Sequence, residues 1–299
     1  MRNNSGKLQL RSEIGLRGVL VSVLLPVYNG SQYVKQCLDS VYSQSLKDFE
    51  VIVVNDGSKD DTRSILREYE GRATIVDQEH RGISKSANRA IELARGEYVC
   101  FISHDDWWDT RKLELEYDII KNSDAGVVYS DYHEVLQDAL GGTVFREKKL
   151  LEYDREALRQ TCYVSTSSSM IRKSYLDRLS SQDGYCFDES LRSAMDWDLW
   201  IRLSKFCSFR HLCLPLSYYR IHPGQTIRSW SHFRDAKKVY ERYNGFSWHY
   251  YADSFLLPLC MSRGQIAVQI LSRKQPGLGQ GLKRVWRRIR LRTVARLGW

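Results

Sequence analysis

The stretch that most constrains this chain is Val99-Cys100-Phe101-Ile102-Ser103-His104-Asp105-Asp106-Trp107-Trp108. A short, β-rich apolar run, preceded by Gly96, ends in two adjacent carboxylates, and it reads as a buried strand. In an α/β sheet the C-terminal ends of buried parallel strands face the ligand crevice. Two carboxylates held there repel each other and lose hydration. A divalent cation offsets that cost, and Mg²⁺ or Mn²⁺, held by one or two carboxylates plus substrate phosphates, suits such a place. The competing reading is a helix cap, with Asp105 or Asp106 capping a helix that begins near Asp109.

The residues before it set the fold class. Val19–Leu25 is nearly continuous in apolar residues, as a central parallel strand is, and Pro26 is expected to end it before the turn Tyr28-Asn29-Gly30. Ser31–Ser45 carries Val34, Leu38, Val41 and Tyr42 at helical spacing, with Ser31 as the expected cap. Phe49–Val54 is a second strand running into Asn55-Asp56-Gly57-Ser58, followed by a helix near Asp60. Ala73–Val76 is a third strand, and Ser84–Ala94 is a helix after the loop Glu79-His80-Arg81-Gly82. Alternating strands and helices predict a doubly wound α/β sheet, mostly parallel and flanked by helices. Its strand ends bring Tyr28-Asn29, Asp56, the loop near Arg81 and Asp105-Asp106 to one edge, where nucleotides bind in such folds. Neither GxGxxG nor GxxxxGK[ST] follows the first strand, which argues against dinucleotide and P-loop chemistry.

Later residues read as mixed elements: a strand over Gly126–Val135, a hairpin around Gly141-Gly142, a short helix over Asp154–Thr161, an extended Tyr163–Ile171, a helix over Asp196–Phe206, and a strand over Phe209–Ile221 broken by Pro215. Residues 226–262 are rich in aromatics and are expected to pack as helices. The domain reading is an N-terminal extension (1–17), a catalytic α/β domain (18–226) and a helical, basic C-terminal segment (227–299).

Charge separates that last segment from the body. No acidic residue follows Asp253, while ten Lys or Arg do, against a whole-chain net charge of +9, so the body is close to neutral. Residues 282–299 space Leu282, Val285, Trp286, Ile289, Val294 and Leu297 among arginines, a basic amphipathic helix. Among a solvated charge run, a nucleic-acid arm and an anchor to an anionic membrane surface, the anchor fits best, with Trp286 and Trp299 suited to an interface. No nucleic-acid partner is expected. No apolar stretch approaches the roughly 20 residues of a membrane span. The charged N-terminus lacks the apolar region of a secretory signal. Seven cysteines without paired spacing, most in apolar contexts (Cys37, Cys100, Cys207, Cys213, Cys260), read as buried thiols. They point to a reducing cytoplasm. With the tail, the expected location is cytoplasmic and peripheral to the inner face of the plasma membrane.

Five blocks carry a resemblance. Val21–Gly30 and Val54–Thr62 resemble the opening of family 2 inverting glycosyltransferases with the GT-A fold. Gly82–Ala90 with Ala94–Tyr98, then Met195–Leu203, then Tyr219–Gly224, resemble later blocks of the same family, in its order and spacing. The resemblance covers about residues 18–226. It implies transfer of a sugar from a nucleoside-diphosphate sugar, UDP- or dTDP-linked, to a hydroxyl of a cell-surface saccharide or lipid-linked acceptor. By the same resemblance Pro26, Val27, Tyr28 and Asn29 line the nucleotide pocket, and Asp56 hydrogen-bonds the pyrimidine. Lys85 and Asn88 approach the ribose or diphosphate, and Asp105 and Asp106 lie at the metal and the ribose. Asp196 fits the general base, with Asp198 as its competitor. Arg220 and His222 face the leaving diphosphate, and His222 is a further candidate metal ligand. Two departures stand out. Ser103 replaces the Asp that usually opens the metal motif, and Met195 replaces the Glu usually found before the base. The second is expected to leave Asp196 with a lower pKa than two neighbouring carboxylates would give. A non-catalytic nucleotide-sugar or glycan-binding module on this fold is the alternative these departures raise.

Overall fold

A computed structural model describes residues 18–137, 142–222 and 230–245. The chain divides into two units, 1–243 and 244–299. The second lies almost wholly outside the described residues, and with it the expected linker and basic tail helix; the N-terminal 17 residues lie outside them too. The helix over 230–244 falls, but for its last residue, within the first unit.

Among the described residues nine strands form one mixed sheet. Strands β1 (Val21–Val27), β2 (Phe49–Asn55), β3 (Thr74–Asp77) and β4 (Tyr98–Phe101) lie in the order β3-β2-β1-β4, all parallel. The other half continues from β4 through β8 (Ser169–Arg172), β6 (Val127–Gln137) and β9 (Phe209–Arg220) to β5 (Trp107–Trp108). There β8 is antiparallel to both β4 and β6, β9 runs parallel to β6, and β7 (Thr143–Lys148) forms the expected hairpin on β6.

The apolar runs are near-continuous because both faces of the sheet are covered. Val21, Val23, Leu25, Tyr98 and Cys100 point into one core with α1 (Val34–Tyr42), α2 (Thr62–Leu66) and α4 (Lys112–Lys121). Leu24, Val99 and Phe101 point into the other, with α3 (Ile83–Leu93), α5 (Arg155–Gln160), α6 (Lys173–Asp183) and α7 (Met195–Leu203). The last described helix is α8 (Trp230–Asn244). Truncating a side chain such as Leu24, fully buried at the centre, would cost about 2–5 kcal/mol.

Several boundaries differ from the sequence reading. Strand β1 does not stop at Pro26 but runs through it to Val27. Leu24 takes the amide of Ile102 on the β4 side, and alternation points Pro26 the same way, past the end of β4, where no ladder hydrogen bond is required of it. Ser31 is not a helix cap: its amide donates to Asp60 Oδ2, and α1 begins three residues later. Trp107-Trp108 pairs with β9 instead of leading into a helix at Asp109. The expected extended run 163–171 holds a 3-10 turn at Thr166–Ser168 before β8. Asp154 does cap α5, accepting from the Ala157 amide at 2.7 Å. Pro215 does break regularity: the β6–β9 register shifts between Ser130 and Tyr132, opposite it.

Candidate active site

Where the parallel strands end, the loops are stitched to one another by backbone groups. Past β1, the Asn29 amide donates to Ser58 Oγ at 2.9 Å, and Asn29 Oδ1 accepts from the Lys59 amide at 2.8 Å. Past β2, Asp56 is the hub of the next loop. Its Oδ1 accepts from Gln78 Nε2 at 2.6 Å and the Arg81 amide at 2.9 Å, and its Oδ2 from the Gly82 amide at 2.8 Å, with His80 Nδ1 also 2.9 Å from Oδ2. Burial pushes the Asp56 carboxyl up, but those donors together outweigh it and hold the group below the usual carboxylate range. Gly57 makes the turn possible, with φ of 72° and no room for a Cβ, which would come within 2.9 Å of the His80 amide. His80 also lies against Tyr28, ring centroids 4.1 Å apart.

Past β4, the Asp106 amide closes a turn on the Ser103 carbonyl at 3.1 Å. The C-terminal end of β9 meets this turn. The Arg220 amide donates to Asp106 Oδ1 at 3.1 Å, Arg220 Nε to the Asp105 carbonyl at 3.0 Å, and His222 Nε2 lies 3.0 Å from Asp105 Oδ2. The Arg220 guanidinium is held between the rings of Tyr33 and Trp107 and donates to Gln36 Oε1 at 2.6 Å. The capping reading of these aspartates fails: α4 starts at Lys112, and Asp109 Oδ1 is what accepts the Arg111 amide. Asp106 is buried, and its Oδ2 has no hydrogen-bond partner among the described residues. Burial, with Asp105 adding repulsion, pushes its carboxyl well up.

An orphaned, buried carboxylate oxygen beside a second carboxylate is a donor set that a hard divalent cation fits, with substrate phosphates completing its shell. The residues that would hold it are Asp105 and Asp106, with His222 at the Asp105 carboxylate.

Asp196 enters from the other half of the chain, in the first turn of α7. The residue before Met195, Ala194, sits in the left-handed region at φ 53°. The other non-glycine residue with positive φ among the described residues, Asn29, also lines the cleft. Backbone strain is therefore gathered here. Asp196 is half-buried, and its side chain accepts from the Trp197 amide at 2.9 Å. Burial, with no second carboxylate adding to it, raises the Asp196 pKa, and the Trp197 amide and the nearby His232 of α8 only partly offset this. Asp198, the competitor, is fully buried and spent on structure. It pairs with Arg202 Nε at 2.8 Å and Arg242 at 2.7 Å, and accepts from the Tyr243 hydroxyl at 2.8 Å.

One cleft of about 2140 Å³ takes in Pro26, Val27, Tyr28, Asn29, Asp56, Lys85, Asp105, Asp106, Asp196, Arg220 and His222, together with His80, His104 and His232. It exceeds a typical small-ligand pocket of roughly 300–1,000 Å³, leaving room for a second substrate. Lys85 reaches Glu189 at 3.6 Å on its rim. Asn88 is the exception. It faces away from the cleft, latching the backbone of Phe187 through both amide atoms at 2.9 and 2.8 Å, so it holds α3 to the 187–189 segment. Gln78 and His232 were not singled out in the sequence. Gln78 sits in a loop with no motif, and His232 falls in the aromatic-rich stretch, where nothing marks it. The thiol reading also needs correction at Cys213, which is exposed, while Cys37 and Cys100 are buried and Cys260 lies outside the described residues.

A family model described as glycosyl transferase family 2 matches residues 22–180. This chain belongs to that family. An uncharacterized glycosyltransferase of Rickettsia prowazekii is 34% identical over 215 residues, covering 70% of this chain and 66% of that protein. The chondroitin synthase of Escherichia coli is 29% identical over 223 residues, covering 73% of this chain but 31% of its own. Both relatives are thus longer than the part they share with it. Among solved structures, S. aureus TarS 1–349 in complex with UDP-GlcNAc superposes with a TM-score of 0.58 at 22% identity, over 74% of this chain and 65% of that one. A mannosyltransferase of Pyrobaculum calidifontis in complex with GDP-Man and Mn²⁺ gives 0.57 at 18% identity, over 92% and 81%. These likenesses establish the GT-A fold. No helix of the described residues is long and apolar enough to cross a membrane.

Proposed function

We propose that the enzyme transfers a sugar, with inversion, from a UDP- or dTDP-sugar to a hydroxyl of a saccharide or lipid-linked acceptor, and that Asp196 is the general base. The observation that carries this reading is that Asp56, Asp105, Asp106 and Asp196, drawn from both halves of the chain, line one cleft, with the Asp196 carboxyl raised by burial. An acceptor hydroxyl is a weak nucleophile near neutral pH. Asp196 takes its proton as the oxygen attacks the anomeric carbon, the bond to the diphosphate oxygen breaks, and the diphosphate leaves with the electron pair. One displacement inverts the centre. A raised pKa brings a carboxylate nearer to matching this task than an ordinary one. Asp56, saturated by donors and ionised, suits an acceptor for a pyrimidine N–H. A divalent cation at Asp105 and Asp106 would neutralise charge developing on the leaving diphosphate. Arg220 fixes the Asp105-Asp106 turn from β9 and adds positive charge beside it. The uridine ligands of TarS support UDP, while GDP-Man in the archaeal neighbour keeps a guanine nucleotide in the test panel. The relatives that build polysaccharides support a saccharide acceptor. Peripheral attachment of the basic tail to an anionic membrane is part of the same reading, and liposome flotation with and without residues 282–299 tests it.

The experiment is a thermal-shift panel of UDP, dTDP and GDP with Mn²⁺, followed by transfer assays on Asp196→Asn. The reading expects a pyrimidine diphosphate to raise the melting midpoint by mass action. It also expects the variant to bind nucleotide and lose turnover. Transfer by Asp196→Asn at the wild-type rate would overturn the base assignment.

A further inference from the structure

Outside the cleft, β9 presents His211 and Cys213 two residues apart, on one face of the strand, beside the irregular register at Pro215. Glu152, in the segment between β7 and α5, reaches over them. Among the described residues this is the one trio of such side chains that brings a ligand atom from each within 4.8 Å of the others. His211 Nδ1 lies 3.3 Å from Glu152 Oε1, Cys213 Sγ lies 3.6 Å from the same oxygen, and Sγ lies 3.7 Å from Nδ1. A tetrahedral Zn²⁺ with bonds of about 2.05 Å to N and O and about 2.3 Å to S sets its ligand atoms about 3.3 Å apart for N and O, and about 3.6 Å apart for S and either. The three separations match that figure side by side.

The other face of the ring strengthens the match. His211 Nε2 lies 2.8 Å from Oδ1 of Asp131, a buried carboxylate that also accepts the Leu150 amide, and the ring is stacked on Tyr129. A neutral imidazole has one N–H. Assigning it to the shorter contact gives it to Asp131 and turns the Nδ1 lone pair toward Glu152 and the thiol. The Cys213 S–H is one donor facing two acceptors, Glu152 Oε1 and the Nδ1 lone pair, and a cation that displaces that proton would satisfy all three groups at once. A carboxylate fixing the far nitrogen of a metal-bound histidine is the usual support for such a ligand.

We propose that Glu152, His211 and Cys213 form a Zn²⁺ site, with Asp131 as the positioning residue and water at the fourth position. The mixed S, N, O set selects a borderline cation such as Zn²⁺ over Mg²⁺ or Mn²⁺, which prefer oxygen. The site is therefore chemically distinct from the aspartate turn. Bound metal would staple β9 to the segment leading into α5, whose Leu158 carbonyl takes the indole N–H of Trp197.

The test uses the full chain stripped with a chelator and titrated with Co²⁺ as a spectroscopic stand-in. One Co²⁺ per chain is expected to give a thiolate-to-cobalt charge-transfer band and the intense visible bands of a tetrahedral ion, both removed by added Zn²⁺. Cys213→Ser should abolish the charge-transfer band, and Cys162→Ser, at the other exposed thiol, should keep it. Asp131→Asn should weaken Co²⁺ binding by about 10–100-fold while leaving the band's position unchanged. Zn²⁺ should raise the melting midpoint of the wild type and not that of Cys213→Ser. No charge-transfer band in the wild type would mean that a proton on Nδ1 answers the same need, and would overturn the proposal; so would a band that survives Cys213→Ser.

Discussion

The loop at Asp56 and the helix start at Asp196 put a carboxylate into the same cleft in opposite conditions. Asp56 receives two backbone amides and the Gln78 amide, with His80 alongside, and is held low. Asp196 has the Trp197 amide and little else to set against burial, and is held high. A carboxylate saturated by donors is a fixed acceptor that changes nothing during a reaction. One left short of donors in a dry wall takes up a proton readily. The folding of each segment sets this difference, because the loop turns the Arg81 and Gly82 amides onto Asp56, whereas Asp196, itself inside the first turn, takes the Trp197 amide.

The largest effect that can break this contrast is on turnover. Asp196→Asn is expected to lower kcat by about 10²–10⁴-fold while the Kd for UDP, read by calorimetry, stays at the wild-type value. A variant that lost nucleotide affinity instead would give Asp196 a binding role like that of Asp56. Next in size is Asp198→Asn, two residues along the same helix. It strips a buried partner from Arg202 and Arg242 and should cost about 3–5 kcal/mol of stability in urea unfolding.

The pH dependence of stability sharpens the contrast further. The contribution of Asp56, whose folded pKa is depressed, is present above the ordinary carboxylate value of about 3.9 and is lost as pH falls through the depressed one. Asp196 runs the other way. Its folded pKa is raised, so it favours folding at low pH and costs stability as pH rises through the raised value. Asp196→Asn should therefore be more stable than wild type at neutral pH, with the gap closing below about pH 4, as a series of urea titrations would show. The smallest effect belongs to His232→Gln. Its imidazole lowers the Asp196 pKa, so removing it should move the acidic limb of the kcat profile to higher pH.

Much of this was legible in the order of residues. The parallel half follows from apolar runs that end in Asn29, Asp56 and Asp105-Asp106, because strand direction fixes where those ends lie. What escaped is set by contacts distant in the chain. Asp196 and Asp198 look interchangeable as neighbours in a helix; Arg202 takes one oxygen of the second, and Arg242 and Tyr243, more than forty positions later, take the other. Asn88 sits in a block that resembles a family motif, yet Phe187 takes both of its amide atoms. Cys213 stands between two leucines like a core thiol, but the register shift opposite Pro215 turns it out to solvent. Pro26 looks like a stop because a single strand does not show where its neighbour ends.

Helix α8 contributes no strand, yet it braces the segment that carries Asp196. Asp235 accepts the amides of Arg192 and Ser193, and Arg242 spans Asp188 and Asp198. A polypeptide ended at His222 would keep the nine described strands and still lose the scaffolding under Asp196. A protease that trimmed the chain there would loosen the cleft while leaving Asp56, Asp105, Asp106 and Asp196 in the chain.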